Sequence, residues 1–452
     1  MKNILSIIFA SMLVFVTFTA CDKNIELEPE TALDGTAGFK TKQDVDAALI
    51  GCYSALQSGN YMGLRYWALS DMYADIIAHT GTFPSFAQIA NRNILADNVE
   101  LRNMWQQIYI GINRANNVIA SAPGVSDPSF DVNNAIGEAR FLRAYHYFNL
   151  LILYGGSNTG YNQAGGLGVP LVTTPTLTAE DAAPKPRNTE AEVWALILDD
   201  LDFAAQNLAN SNGTGRANKR VAQALKARAH LFRGEWTAAE TAAGDVITTG
   251  GYSLIPGATY ADIFLKKNTA EAIWELQFDA TNTNSIAFFY YPTSLGGRNE
   301  ITSTTGLRDA HEAGDVRQAV NYTTSPAGKT QKYTRVPGDD NVLLIRLAEM
   351  YLIRGEARAR SGKLPDALDD LNAIRTRAGL GDISPATADE IVQAIGNERR
   401  LEFAHEGHRW FDLRRYNTLS VVGITQEFRA LWPIPQREVD TSAGIIAQNP
   451  GY

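Results

Sequence analysis

Cysteine is almost missing from this 452-residue chain, which has only Cys21 and Cys52. Two cysteines cannot build a disulfide framework or a cysteine-rich zinc site. Histidine is nearly as scarce, and the six residues are too scattered to suggest a multi-ligand metal centre. Positive charge is in deficit as well: 40 basic against 49 acidic side chains leave a net charge of −9. That balance argues against a nucleic-acid partner, because nothing here neutralises phosphates over a broad surface. Long apolar runs are absent beyond the first twenty residues, so no later segment approaches the roughly 20 residues of a spanning helix. What is present is ample apolar material, 45% of the residues, enough to bury a core without covalent staples. Length alone allows two to three domains of about 150 residues, or one large helical domain.

Enzyme signatures are absent too. Gly328-Lys329-Thr330 resembles the end of a phosphate-binding loop, but the upstream glycine is replaced by Thr323. Gly166-Leu167-Gly168 lacks the third glycine of a dinucleotide fingerprint, and no Gly-x-Ser-x-Gly occurs. His405 and His408 are three apart, whereas a zinc-protease helix needs its histidines four apart. No cofactor, no metal site and no catalytic residue is expected.

The first twenty residues read as a targeting segment. Lys2 supplies a positive start, and Ile4 to Phe18 is an apolar run broken only by Ser6, Ser11 and Thr17. This is the length of a signal sequence and too short for a span. Thr19-Ala20-Cys21 resembles a bacterial lipobox, although Phe18 stands where Leu or Val is usual. Cys21 is therefore the expected lipidation site, and residues 21–36 the tether that follows it. Two or more acyl chains anchor stably, so the protein is expected on a membrane without crossing it. Cys52 is expected as a small buried residue on a helix around Val45 to Leu56.

The remaining pattern is mainly helical. Leu344, Leu347, Ala348, Tyr351 and Leu352 follow helical spacing. Ser361-Gly362 interrupts the stripe, and Leu364, Ala367, Leu368, Leu371 and Ile374 begin another. A similar hairpin lies 128 residues earlier, with Ala229, Gly234 and Ala239 in register with Ala357, Gly362 and Ala367. Tetratricopeptide-type repeats have this shape. Asn133 to Tyr154 and Ala388 to Tyr416 look like further helical partners. One hairpin cannot bury its own apolar face, so these should stack into a scaffold.

Other stretches differ. Residues 155–188 are rich in Gly, Pro and Thr and read as an extended connection. Residues 271–335 hold β-like runs, Ala272 to Phe278 and Ile286 to Tyr291, among Asn, Thr, Ser and Gly. An aromatic-rich segment, Tyr61 to Tyr73, precedes an expected loop from His79 to Ala90. Loops on a rigid scaffold are where binding usually sits.

Several motifs then carry a family resemblance. The ending Leu431-Trp432-Pro433-Ile434-Pro435-Gln436-Arg437-Glu438-Val439-Asp440, closing with Gln448-Asn449-Pro450-Gly451-Tyr452, resembles that of the SusD/RagB lipoproteins of Bacteroidetes. So do Glu398 to Phe403 with Glu406 to Arg414, Arg346 to Leu352 with Gly355-Glu356-Ala357, and Glu138 to Tyr145 running on to Tyr154-Gly155-Gly156. The charged residues of these motifs, Arg140, Arg143, Arg346, Glu349, Arg399, Glu402, Glu406 and Arg409, stand at helical spacing. They are expected to pair between helices rather than touch ligand.

The resemblance implies a mostly α, SusD-like fold: a tetratricopeptide-like hairpin scaffold with a loop-rich, partly β insertion. It divides the chain into a leader (1–20), a tether (21–36), an N-terminal helical part with ligand loops (37–270), the insertion (271–335) and C-terminal helices with the closing motif (336–452). It also implies a non-enzymatic protein, lipid-anchored in the outer membrane and facing outward. Such a protein captures oligosaccharides for a SusC-like, TonB-dependent transporter. Peptide capture in the RagB manner and a surface polysaccharide hydrolase are the alternatives. Bound sugars would stack on rings while polar groups bond hydroxyls. Two regions have that mixture: Arg65, Tyr66, Trp67, Asp71 and Tyr73 with Phe83 and Phe86, and Phe289, Tyr290 and Tyr291 with Arg298 and Asn299. Of these, Arg65, Trp67, Asp71, Tyr73, Phe83, Phe86, Tyr290, Tyr291, Arg298 and Asn299 are the candidate ligand residues.

Overall fold

Thr41 begins the first helix by accepting a hydrogen bond from Asp44 N–H at 3.2 Å, while the Asp44 carboxylate accepts from Thr41 N–H at 2.8 Å. This reciprocal cap satisfies donors that a helix start leaves unpaired. The computed structural model describes residues 39–452; the leader, Cys21 and the tether lie outside the described residues. The N-terminal elements are helices α1 (Lys42–Gln57) and α2 (Arg65–Tyr73), strand β1 (Ile77–His79) and helices α3 (Pro84–Ala90), α4 (Val99–Ser121) and α5 (Val132–Tyr154). Helices α6 (Glu190–Asn207), α7 (Lys219–Arg233), α8 (Trp236–Thr249) and α9 (Asp262–Leu265) follow. The insertion holds β2 (Ala272–Leu276), α10 (Ile286–Tyr290), β3 (Ile301–Ser303), α11 (Thr305–Asp309) and α12 (Arg317–Asn321). The chain ends with β4 (Val342–Arg346), α13 (Leu347–Arg360), α14 (Leu364–Arg377), α15 (Ala388–Glu402), α16 (Arg409–Arg415) and α17 (Gln436–Thr441).

The long helices stack in succession, α4 on α5, α5 on α6, α6 on α7 and α7 on α8, with α8 against α13 and α13 against α14 and α15. Both hairpins close as expected: Gly234 and Gly362 sit at φ +70° and +80° between their helices. That left-handed geometry strains any residue with a Cβ. Ala229, Ala239, Ala357 and Ala367 are all buried where neighbouring helices meet. Small residues there permit close approach, and larger ones fill the core beside them, among them Leu352, Leu371, Ile374 and Ile395. Truncating one such leucine to alanine costs about 2–5 kcal/mol. Cys52 is buried on α1, and burial pushes its thiol up to about 12.

The charged motif residues pair across the stack. Arg143 bonds Asp200, Arg228 bonds Glu349, Arg399 bonds Asp412 and Arg409 bonds Asp75. At the centre, Arg346 reaches Glu271, Glu402 and Glu406, while Arg317 and Arg377 also pair with Glu402. Burial drives the Glu402 carboxyl upward, but these three arginines outweigh it and hold the group far below its usual value. The closing tail lies on the helices: Trp432 N–H donates to Leu153 O at 3.2 Å, and Asn449 Nδ2 to Tyr154 O at 2.9 Å.

Two short antiparallel ladders join distant stretches. β1 pairs with β3, aligning Ile77 with Ser303 and His79 with Ile301, and β2 pairs with β4. Residues 40–452 form one unit, so the insertion is built into the helical parts on either side.

Four expectations need correction. Leu344 does not belong to the helical stripe, because it lies in β4 and the extended Arg346 starts α13. Ile286 to Tyr291 is largely helical: Ile286, Ala287, Phe289 and Tyr290 are buried while Phe288 faces out, a period near 3.6. Ala388 to Tyr416 breaks into α15 and α16, with His405 and Gly407 at positive φ between them. Finally, the aromatic segment before His79 contains α2, and the expected loop after it contains α3.

Candidate functional site

The β1–β3 ladder brings the two ligand regions together. Just beyond β1, Phe83 caps α3 and Pro84 opens it, where a missing N–H costs nothing. Just before β3, residues 291–300 fold back on α10: Arg298 N–H bonds Phe288 O at 2.7 Å and Asn299 N–H bonds Tyr291 O at 2.8 Å. Phe86 and Phe289 are buried and form a base, with ring centroids 5.8 Å apart. Phe83 packs on both, at 5.5 Å and 6.0 Å, and Phe288 lies 5.9 Å from Phe289 with 37% of its surface exposed. The result is an aromatic shelf, supported from below and open above.

Polar groups edge the shelf. The Arg298 guanidinium lies 4.1 Å from the Phe83 ring centroid, a cation–π contact. Its Nε donates to Glu300 at 3.1 Å, and its two Nη groups have no partner among the described residues. The buried Glu300 carboxylate also accepts from Thr82 and Phe83 N–H, at 2.8 and 2.7 Å, and lies 2.9 Å from His79 Nε2. Burial pushes Glu300 up, but bonds from Phe83, His79, Arg298 and Thr82 prevail and keep it below its usual value. Asn299 is held at φ +57°, exposed, with its Oδ1 accepting from Lys329 Nζ at 2.7 Å. Tyr291 is half-buried and donates to Thr330 O at 3.2 Å.

Comparison with known proteins decides the family. Residues 314–423 match the model described as SusD family, and residues 23–231 match one described as starch-binding associating with outer membrane. SusD-like protein P38 of Formosa agariphila is 29% identical and aligns over 96% of each chain. The starch-binding protein SusD of Bacteroides thetaiotaomicron is 28% identical over 35% of this chain and 29% of its own. A SusD superfamily crystal structure from Bacteroides thetaiotaomicron superposes with a TM-score of 0.79 at 26% identity, covering 91% of this chain and all of that one (100%). The chain belongs to the SusD family.

In this SusD-family protein half of the expected ligand residues are core. Trp67 donates its indole N–H to Met62 O at 2.6 Å, and the Tyr73 hydroxyl bonds Arg429 O at 2.8 Å. Asp71 is fully buried and accepts from Gly407 N–H at 3.1 Å. Phe86 forms the shelf's base, and the Tyr290 hydroxyl lies 2.7 Å from His405 Nδ1. All five side chains are enclosed and offer a ligand no surface, because α2 packs on α16 and the tail, and α10 turns Tyr290 inward. Tyr66 and Phe289 are buried as well. Arg65 is half-buried and spent on Glu100 at 2.8 Å. Phe83, Tyr291, Arg298 and Asn299 come together at the surface.

Sequence reading missed Phe288, His79, Glu300 and Lys329 as parts of the shelf. The helical phase of residues 286–290 could have revealed Phe288; nothing local marks the other three. A SusD-family fold also offers clefts. One, of about 430 Å³, lies between α4, the 170–185 connection and α17, and is lined by Trp105, Tyr109 and Glu438. Trp105 is itself buried, edge-on to Tyr154, so that cleft presents no open indole face.

Proposed function

We propose that this protein is a non-enzymatic surface binder that captures oligosaccharides or polysaccharide fragments and passes them to a SusC-like, TonB-dependent barrel transporter. The observation that carries this is the shelf: the exposed Phe288 and the partly exposed Phe83, with Arg298 over its ring, offer apolar surface against which a sugar ring's C–H groups can pack. The unengaged donors of Arg298 and Asn299 stand beside them, placed to bond hydroxyls. An open shelf suits a chain held at several sugar units better than a peptide gripped in a cleft. Cleavage is disfavoured because the shelf's carboxylate, Glu300, is buried with both oxygens engaged, and glycoside hydrolysis needs a carboxylate pair flanking the bond. The starch-binding description of the matched family model and the name of the starch-binding relative agree with a glycan ligand. Among the described residues no helix is long and apolar enough to cross a membrane; attachment through lipid on Cys21 rests on the lipobox-like Thr19-Ala20-Cys21.

The test is a glycan array on the purified protein with a peptide pool alongside. Glycan binding without turnover is expected. Phe83→Ala combined with Phe288→Ala should weaken it at least tenfold, about 1.4 kcal/mol, with the helical circular-dichroism spectrum retained. Peptide binding alone, or breakdown of the bound glycan, overturns the reading. Cys21→Ala should move the protein from the membrane pellet to the soluble fraction; retention in the pellet removes the lipid anchor.

A further inference from the structure

Two lysines in one short stretch are buried very differently. Lys332 is neutralised by Glu406, whose Oε1 lies 2.6 Å from its Nζ. Lys329 is 4% exposed, yet among the described residues no carboxylate comes within ion-pair distance. Its ammonium donates to Asn299 Oδ1 at 2.7 Å and to Ile301 O at 3.3 Å, both neutral oxygens. An ammonium has three donors, and buried charges are normally paired. Burial lowers the Lys329 pKa, and no neighbouring charge contributes to that shift.

This lone cation is tied to the polar edge of the shelf through Asn299. By holding Asn299 Oδ1 it turns the amide Nδ2 away from the protein, where that group has no partner among the described residues. Arg298, next in the chain, has Nη groups without a partner among the described residues and 39% of its side chain exposed. Arg298 and Glu300 cancel as an ion pair, which leaves Lys329 as the uncompensated charge. Asp340, whose charge bears on Tyr291, accepts from the backbone N–H groups of Thr334 and Arg335, at 2.7 and 2.6 Å. A locally positive shelf on a chain of net charge −9 is suited to an anion.

We propose that the shelf selects acidic saccharides, with Arg298 and Asn299 contacting a uronate carboxylate or sulfate ester and Lys329 supplying the charge behind them. This rests on the glycan-binding reading and narrows it. Lys329 is here a positioning and electrostatic residue, so its test reads charge preference as well as affinity.

Titrate the full protein with polygalacturonate fragments, the same fragments after carboxyl reduction, κ-carrageenan fragments (sulfated, without uronate) and neutral laminarin. At least one acidic probe should bind tenfold or more tightly than the neutral probes, and that advantage should shrink as salt rises. The arm that is held, uronate or sulfate, identifies the anion. Lys329→Met should bring the acidic-to-neutral ratio near one without lowering the melting temperature. Arg298→Gln, at an exposed position, should reduce the same ratio and guards against misfolding of the first variant. Equal or tighter binding of neutral probes, or a preference that survives both substitutions, overturns this inference and leaves the glycan-binding reading standing. Failure of every glycan to bind removes that reading itself.

Discussion

Asp71 has the surroundings a carboxylate tolerates least. It is fully buried on α2, one oxygen accepts from Gly407 N–H, and the other has no partner among the described residues. Burial raises its pKa to about 7, against partial relief from Gly407 and Lys332. The unfolded carboxyl titrates near 3.8, so between these values the folded state binds more protons. The stability tied to Asp71 is therefore full below about pH 4 and is lost as pH rises through 7. Asp71→Asn removes the titration while keeping an acceptor for Gly407. The variant's unfolding free energy in urea should gain on the parent's from pH 5 to pH 8, by an amount on the order of 2 kcal/mol. Parallel pH profiles would refute a buried, titrating Asp71. The same residue shows why composition misled: an acid among Trp and Tyr reads as a sugar contact, yet Tyr73 meets Trp432 more than 350 positions later, with 5.9 Å between ring centroids. Burial of this kind is set by partners no local window contains.

Among the elements, hairpins were the most legible, because a stripe of apolar residues, a glycine and a second stripe state both the helices and the turn. Short apolar runs were the least legible. Five residues suit a strand or one turn and a half of helix equally, and α10 was decided by its packing on Phe86. Legibility of the candidate site was correspondingly partial: both loops could be named, but not which rings face outward. Two glycines separate backbone from packing effects. At Gly362, φ is +80° and a Cβ would meet nothing within 4 Å, so Gly362→Ala should cost only about 1 kcal/mol for the strained conformation. At Gly407, φ is +74° and a Cβ would lie 2.9 Å from Trp67 Cε3. Gly407→Ala should therefore cost about 2–4 kcal/mol, backbone strain and overpacking together. Urea unfolding measures both, and equal losses would mean that the α15–α16 junction is loosely packed.

Across the whole molecule, the ends of β4, α14 and α15 converge on Glu402. Glu402→Gln would leave Arg317, Arg346 and Arg377 in a buried site without their shared counter-charge. A loss of about 3–5 kcal/mol is expected in urea unfolding; a loss under about 1 kcal/mol would show that the cluster is solvated. Because the Glu402 pKa is depressed by folding, its contribution exists above the unfolded value and fades as pH falls. The β1–β3 ladder aligns residues 77–79 with residues 301–303. Both halves of the shelf hang from it, one from each strand, and Ser303 ties the ladder to His405 beyond α15. The cargo-facing surface can therefore be remodelled as a matched set, by exchanging residues 80–90 together with 286–299, whereas a graft of either alone separates Phe83 from Arg298. Diversification among such proteins should leave paired footprints at these two places, about two hundred positions apart in sequence.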